Sequence, residues 1–282
     1  MMETNTFTRR DFIKRTAVAG AGVALLSNFA VPSARAINNS PGLAKWIQPL
    51  RGLNYPPGHL LGALGYPNDP NGIPVAGGVA DPAFANTTMY QIGVQEFSDQ
   101  LHPALGPTKL WGYVDQTRPI PKHLGGIVVT TRNQAARMRF TNNLPARHIL
   151  PVDITIPGST MAQNRIATHL HGGLVPWISD GGPYDWFSPN CPDYANGLSF
   201  PNGPGSVLDN IVGTPMQFGQ ADYYYPNNQS TRLMWYHDHA FGITRLNAYA
   251  GVASGYLCVD TTDLGPASRL TANVPPIPDL IP

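Results

Sequence analysis

Charged side chains are scarce in this sequence: Asp, Glu, Lys and Arg make up 12% of its 282 residues. That scarcity, beside 29 glycines and 29 prolines, argues against long helices and against a solvated coiled coil. Cysteine is scarcer still. The two present, Cys191 and Cys258, stand in no Cys-x-x-Cys pair and beside no histidine, so neither reads as a metal ligand. One disulfide or two separate thiols both remain open for them. There is no basic patch that would bind nucleic acid, and no segment long and apolar enough to stay in a bilayer as a stable anchor. Hydrophobic residues, by contrast, reach 42%, ample for a buried core, which excludes global disorder.

The first residues read as a targeting segment. Thr8-Arg9-Arg10-Asp11-Phe12-Ile13-Lys14 carries twin arginines, an apolar run follows from Ala17 to Leu26, and Ala34-Arg35-Ala36 has the small-x-small form of a cleavage site. This order resembles a twin-arginine export signal over residues 1–36. It implies a periplasmic or extracellular protein whose mature chain starts near Ile37, by a route that moves folded proteins. Without this segment the remaining chain is slightly acidic.

Residues 37–85 are rich in Pro, Gly and Asn and have no sustained period, so they are expected to form an extended arm. Period-2 alternation then appears: Tyr90, Ile92 and Val94 against Gln91, Gly93 and Gln95. Further strands are expected at 126–131, 137–140, 165–170, 232–237 and 255–260. One short helix is expected within 241–249, with Gly251 near its end. A long Gly/Pro/Asp/Asn segment from about Gly172 to Gln220 reads as a functional loop or a surface excursion. Short strands separated by turn signals predict an all-β fold, a sandwich or Greek-key barrel, over 86–265. The Pro-rich stretch 266–282 reads as a linker to a further domain.

Eight histidines are present, and four of them form two His-x-His pairs, His169-Leu170-His171 and His237-Asp238-His239. On a strand, side chains at i and i+2 share a face roughly 7 Å apart. Two imidazoles can then reach one metal, or two metals close together, while Leu170 and Asp238 face the other way. Neutral imidazole is the usual ligand of copper and zinc. The other four, His59, His102, His123 and His148, are isolated and read as surface or hydrogen-bonded structural residues.

The flanks of these pairs carry a resemblance. His169-Leu170-His171-Gly172-Gly173 and Trp235-Tyr236-His237-Asp238-His239 resemble the first and second copper motifs of multicopper oxidases. Leu101-His102-Pro103, Thr108-Lys109-Leu110-Trp111-Gly112-Tyr113, Asn142-Asn143-Leu144-Pro145 and the run from Thr244 to Gly251 are similar to the spore-coat laccase and bilirubin-oxidase branch. The likeness spans about Tyr90 to Asp260. It implies cupredoxin-like Greek-key domains, a trinuclear copper cluster, O₂ as electron acceptor and a small-molecule reducing substrate such as a phenol. Carried over by position, it implies that His169 binds the type 2 copper and that His171, His237 and His239 bind the type 3 pair. It further implies that Asp180, in Ser179-Asp180-Gly181, assists proton delivery beside the cluster; the bland reading of Asp180 is a turn residue.

The sequence also departs from the family pattern. Nothing in it matches the His-Cys-His motif of the blue-copper site, since Cys258 is followed by Val259 and Asp260. The motif carrying the remaining cluster ligands is missing as well. The expectation is therefore an N-terminal, copper-binding part of an oxidase, inactive alone, which needs C-terminal cupredoxin domains. The alternative is a stand-alone copper-binding cupredoxin module without turnover. A zinc hydrolase is disfavoured, because no Glu or Asp stands at ligand spacing after either pair to act as a base.

Overall fold

The structure is a computed structural model that describes residues 42–63, 65–189 and 219–260. The chain divides into two compact units, 1–47 and 48–282. Of the first unit, residues 42–47 are described and contain no helix or strand. The export signal at 1–36, Cys191, the middle of the long loop and the linker at 266–282 lie outside the described residues.

Among its described residues the second unit has eleven strands: β1 Leu53–Asn54, β2 Ile73–Pro74, β3 Val79–Ala80, β4 Thr87–Asp99, β5 Thr108–Asp115, β6 Val128–Thr131, β7 Ala135–Asn142, β8 Thr168–His171, β9 Gln220–Tyr225, β10 Arg232–Asp238 and β11 Ala253–Val259. Two helices accompany them, the single turn α1 at Leu60–Ala63 and α2 at Thr244–Ala250. The fold is all-β. One sheet has the order β6-β11-β10-β8; the other runs β3-β4-β7-β9, with β5 also pairing β4. The inward faces of the two sheets close on one core, which includes Ile92, Val94, Trp111, Tyr113, Phe140, Leu170, Tyr223, Tyr236 and Tyr256. Alternation explains the choice: in β10 Met234 and Tyr236 point in, while Leu233 and Trp235 point out.

Regular structure starts earlier than the composition suggested. Leu53 and Asn54 pair in parallel with Ile73 and Pro74, and Val79 and Ala80 join β4. Tyr55, Leu61 and Val75 pack on Val129 as a small second core, which fastens this arm to the outer side of β6. Proline and glycine hid these strands because two-residue strands leave no period to read. The salt bridge from Arg51 to Asp99, at 2.5 Å, ties the arm to the end of β4.

The other strands fall near their expected places. β8 begins at Thr168 rather than Arg165, because Ile166 instead bridges Phe187. β5 and β9 lie outside the strands that the sequence predicts, and β9 starts at Gln220, the end of the expected long loop. Among the described residues α2 is the one helix longer than a turn, and it ends at Gly251, whose φ of 116° is open to glycine. On the face of β7 opposite Met138 and Phe140, Arg137 makes ion pairs of 2.5 Å with Asp81 and 2.8 Å with Asp222, which also holds Arg139. Its guanidinium is satisfied on both sides, which is what permits a charge at this depth.

Candidate metal centre

The two histidine pairs lie on neighbouring strands. β8 and β10 are antiparallel, with His169 opposite His237 and His171 opposite Trp235. The alternation that sends Leu170 and Tyr236 into the core turns His169, His171, Trp235 and His237 to the other face of the same sheet. His239 follows just after the strand, where its backbone N–H donates to the Ala167 carbonyl at 2.6 Å. All four imidazoles converge. Ring centroids are 5.7 Å apart for His169 and His171, 5.6 Å for His169 and His237, 5.0 Å for His169 and His239, and 5.6 Å for His171 and His237.

Hydrogen bonds set the rings. The His169 Nδ1–H donates to the Asp180 carbonyl at 2.7 Å, which leaves Nε2 as the free lone pair. The Nδ1–H of His237 donates to the Asp238 carbonyl at 2.7 Å, so its Nε2 carries the lone pair and accepts from Nδ1–H of His171 at 3.4 Å. Nδ1 of His239 is buried without a hydrogen-bond partner. Burial, and then the neighbouring imidazoles of His169, His239 and His171, push the pKa of His237 down despite its bond to Asp238. The pKa of His239 is lowered too, first by burial and then by His169, with the Asp180 carboxylate acting against them. Neutral rings with unspent nitrogens are the form that copper or zinc requires. The donor set therefore fits a soft-to-borderline metal. Among the described residues no three His, Cys, Asp or Glu side chains are gathered closely enough to hold one ion between them.

Asp180 comes to the site through a tight loop. A short 3-10 turn at Trp177–Ser179 precedes it, and the Tyr224 backbone N–H donates to the Ser179 hydroxyl at 2.9 Å. Gly181 then crosses so close to β8 that a Cβ there would stand 1.9 Å from the Thr168 carbonyl oxygen. The Asp180 carboxylate is about half exposed, at 48%, and one oxygen lies 3.3 Å from Nδ1 of His169. It stands behind the ring, on the side away from Nε2, where it orients His169 as well as bringing charge to the site.

Two residues have parts that the sequence reading did not assign. Asp238, buried inside the second pair, accepts hydrogen bonds from the Ala167 N–H at 2.9 Å and the Ala240 N–H at 3.1 Å. Burial raises its pKa to about 6 against those bonds. It fastens the approach to β8 to the turn after β10, and so the one pair to the other. Strand alternation already pointed this carboxylate inward, and a buried carboxylate needs donors; which donors could not be read. The other is Trp235, whose indole stacks on His237, with centroids 4.1 Å apart and planes at 23°. Of the isolated histidines, His148 lies against Trp111 at 4.2 Å and bonds to Asn247, a structural role.

No family model matches the sequence. Curated relatives do. A laccase from Bacillus stratosphericus is 37% identical over 186 residues, 64% of this chain and 31% of the relative. The laccase of Bacillus subtilis is 36% identical over 177 residues, 61% of this chain and 29% of the relative. A laccase from Haloferax volcanii is 29% identical over 263 residues, 89% of this chain and 36% of its own length. The chain thus spans about a third of the length of the curated relatives it matches. Among solved structures, a laccase from Pediococcus acidilactici aligns with a TM-score of 0.42 and 16% identity, covering 66% of this chain and 29% of the other.

Proposed function

Since the chain belongs to the multicopper oxidase family, we propose that it is the copper-binding N-terminal domain of a laccase-like oxidoreductase. In this reading the whole enzyme couples oxidation of phenolic or similar donors to reduction of O₂ to water. His169 binds the type 2 copper, and His171, His237 and His239 bind the type 3 pair. The observation that carries the reading is four imidazoles converging beside one sheet face, with Nδ1 of His239 buried and unbonded among them. Copper held there would supply one-electron steps that together deliver four electrons, with four protons, to one O₂ and give two waters.

The chain's own residues bind and orient. The Asp180 carbonyl fixes the tautomer of His169, and the Asp238 carbonyl that of His237, so that each offers Nε2. The Asp180 carboxylate, open to solvent, takes up protons and passes them into the site. Leu174, Trp177, Leu233 and Trp235 are exposed apolar residues on the loop after β8 and on β10. In the whole enzyme they are covered by the domain that brings the remaining ligands and the blue-copper site. Export by the twin-arginine route delivers the folded protein to the periplasm or the exterior. Among the described residues no helix is long and apolar enough to cross a membrane.

The test is copper content and O₂ uptake of the purified chain with a phenolic donor. Copper should bind, should be lost in His237→Ala, and should support no sustained uptake. Sustained turnover abolished by His237→Ala overturns the division of the active site between this chain and other domains. The second reading is a copper-binding module without turnover. Coding sequence continuing past Pro282 decides for the oxidase, and a stop codon there for the module.

A further inference from the structure

We infer that Trp235 is a positioning residue for the metal, holding the His171 and His237 imidazoles in a ligating orientation against one face of its indole. The inference rests on the reading of those two histidines as copper ligands. Trp235 is two residues before His237 on β10, so both side chains leave the same face, and its cross-strand partner on β8 is His171. The indole is nearly parallel to both rings: centroid distances are 4.1 Å to His237 and 5.2 Å to His171, with planes at 23° and 22°.

The two imidazoles are 5.6 Å apart. Rings on opposite faces of an indole would be separated by two van der Waals contacts, roughly 7 Å. Both therefore lie over one face. Stacked there, Nδ1 of His171 and Nε2 of His237 point at each other at 3.4 Å. A core-packing role does not account for this arrangement, since Trp235 is 43% exposed on the outer side of the sheet. The need for it is clearest at His171. This ring is exposed, and its ring contacts among the described residues are His169, His237 and Trp235. His237 has its carbonyl bond to hold it; His171 has the indole.

Two effects favour a bound cation. The stack restricts rotation about Cβ–Cγ of both histidines before the metal arrives, so less side-chain freedom is lost on binding. An imidazole that donates to a cation becomes electron-poor, and the negative face of an indole stabilises it.

The experiment is equilibrium dialysis of the full chain against Cu²⁺, with metal counted by mass spectrometry. Wild type is compared with W235A, W235L, W235F and H237A, and circular dichroism and Tm of each metal-free protein are recorded. Removing the aromatic face in W235A and W235L should weaken copper roughly tenfold. W235F should restore affinity to within about twofold, and the metal-free Tm should stay level because the site is on the surface. W235L retains apolar bulk, so it keeps the test valid should W235A misfold. Wild-type affinity in W235L, or a loss in W235F as large as in W235L, overturns the inference. Copper binding unchanged in H237A overturns the ligand reading first, and the inference with it.

Discussion

His237 stands directly opposite His169 across the β8–β10 ladder, their rings 5.6 Å apart and at 80° to one another. Because strand side chains alternate, a slip of one residue in this ladder would send a whole histidine pair into the core. The register is therefore as much a part of the site as the histidines. Asp238 pins it, one carboxylate oxygen on Ala167 before β8 and the other on Ala240 after β10.

Asp238→Ala strips both backbone donors of their partner in a buried setting. Each unsatisfied group costs about 1–3 kcal/mol, so the variant should lose about 2–6 kcal/mol by urea unfolding. Copper affinity should fall with it, since the pairs are no longer tied together. Unfolding at wild-type urea concentration would refute the strut.

Gly181 gives a second handle on the same geometry. Its φ of 68° and the 1.9 Å from a built Cβ to the Thr168 carbonyl oxygen leave no room for a side chain, and the obstacle is backbone. Gly181→Ala should push the Asp180 loop off β8 and cost more than about 2 kcal/mol. His169 then loses the carbonyl that fixes its tautomer. Copper binding at the His169 site should weaken more than in Asp180→Ala, where the backbone carbonyl stays in place. Equal copper affinities in the two variants would show that the loop position is irrelevant to His169.

Asp180→Asn separates the two parts proposed for Asp180. The main-chain carbonyl still accepts from His169 at 2.7 Å, so copper stoichiometry should be unchanged. The amide cannot carry protons, so in the whole oxidase O₂ uptake should fall about 10–100-fold. Loss of copper with turnover per copper intact would reassign Asp180 to ligand support alone.

The histidine pairs were legible because a period of two and a metal-ligand residue type coincide at 169, 171, 237 and 239, and that spacing also sent Leu170 inward. The β-rich class was legible in runs such as Tyr90 to Val94. What could not be read is long-range in origin. The pairing of His169 with His237 depends on the register of strands far apart in sequence; the His171–His237 contact spans a separation of 66 residues. The arm strands Leu53–Asn54 and Ile73–Pro74 are too short to show periodicity, and they exist because Tyr55, Leu61 and Val75 find Val129. Trp235 lies in the strand expected at 232–237, and only cross-strand pairing puts its indole over two imidazoles.

The last prediction concerns acid stability. His148 is buried, and both its ring nitrogens are committed in the neutral state: Nδ1 accepts the Leu150 N–H at 2.9 Å and Nε2–H donates to Asn247 Oδ1 at 3.1 Å. Burial therefore lowers its pKa below 6.5, although the Asn247 bond works the other way. The consequence has a definite sign. Above pH 6.5 neither folded nor unfolded chain protonates this ring, and its full contribution to stability is present. As pH falls below 6.5 the unfolded chain takes up a proton that the folded chain refuses, so stability drops until the lowered folded pKa is reached. Burial acts in the same direction on His59 and His123. Melting of the metal-free protein across pH 8 to 5, in wild type and in His148→Gln, isolates one ring, because contributions common to both proteins cancel in the difference. The Gln side chain can keep a donor and an acceptor but does not titrate. It should lower Tm at pH 8 through lost packing on Trp111, 4.2 Å from the His148 ring, and should melt with a shallower acid slope below pH 6.5. Parallel curves would mean that His148 titrates alike in folded and unfolded chains, and that its burial carries no proton linkage.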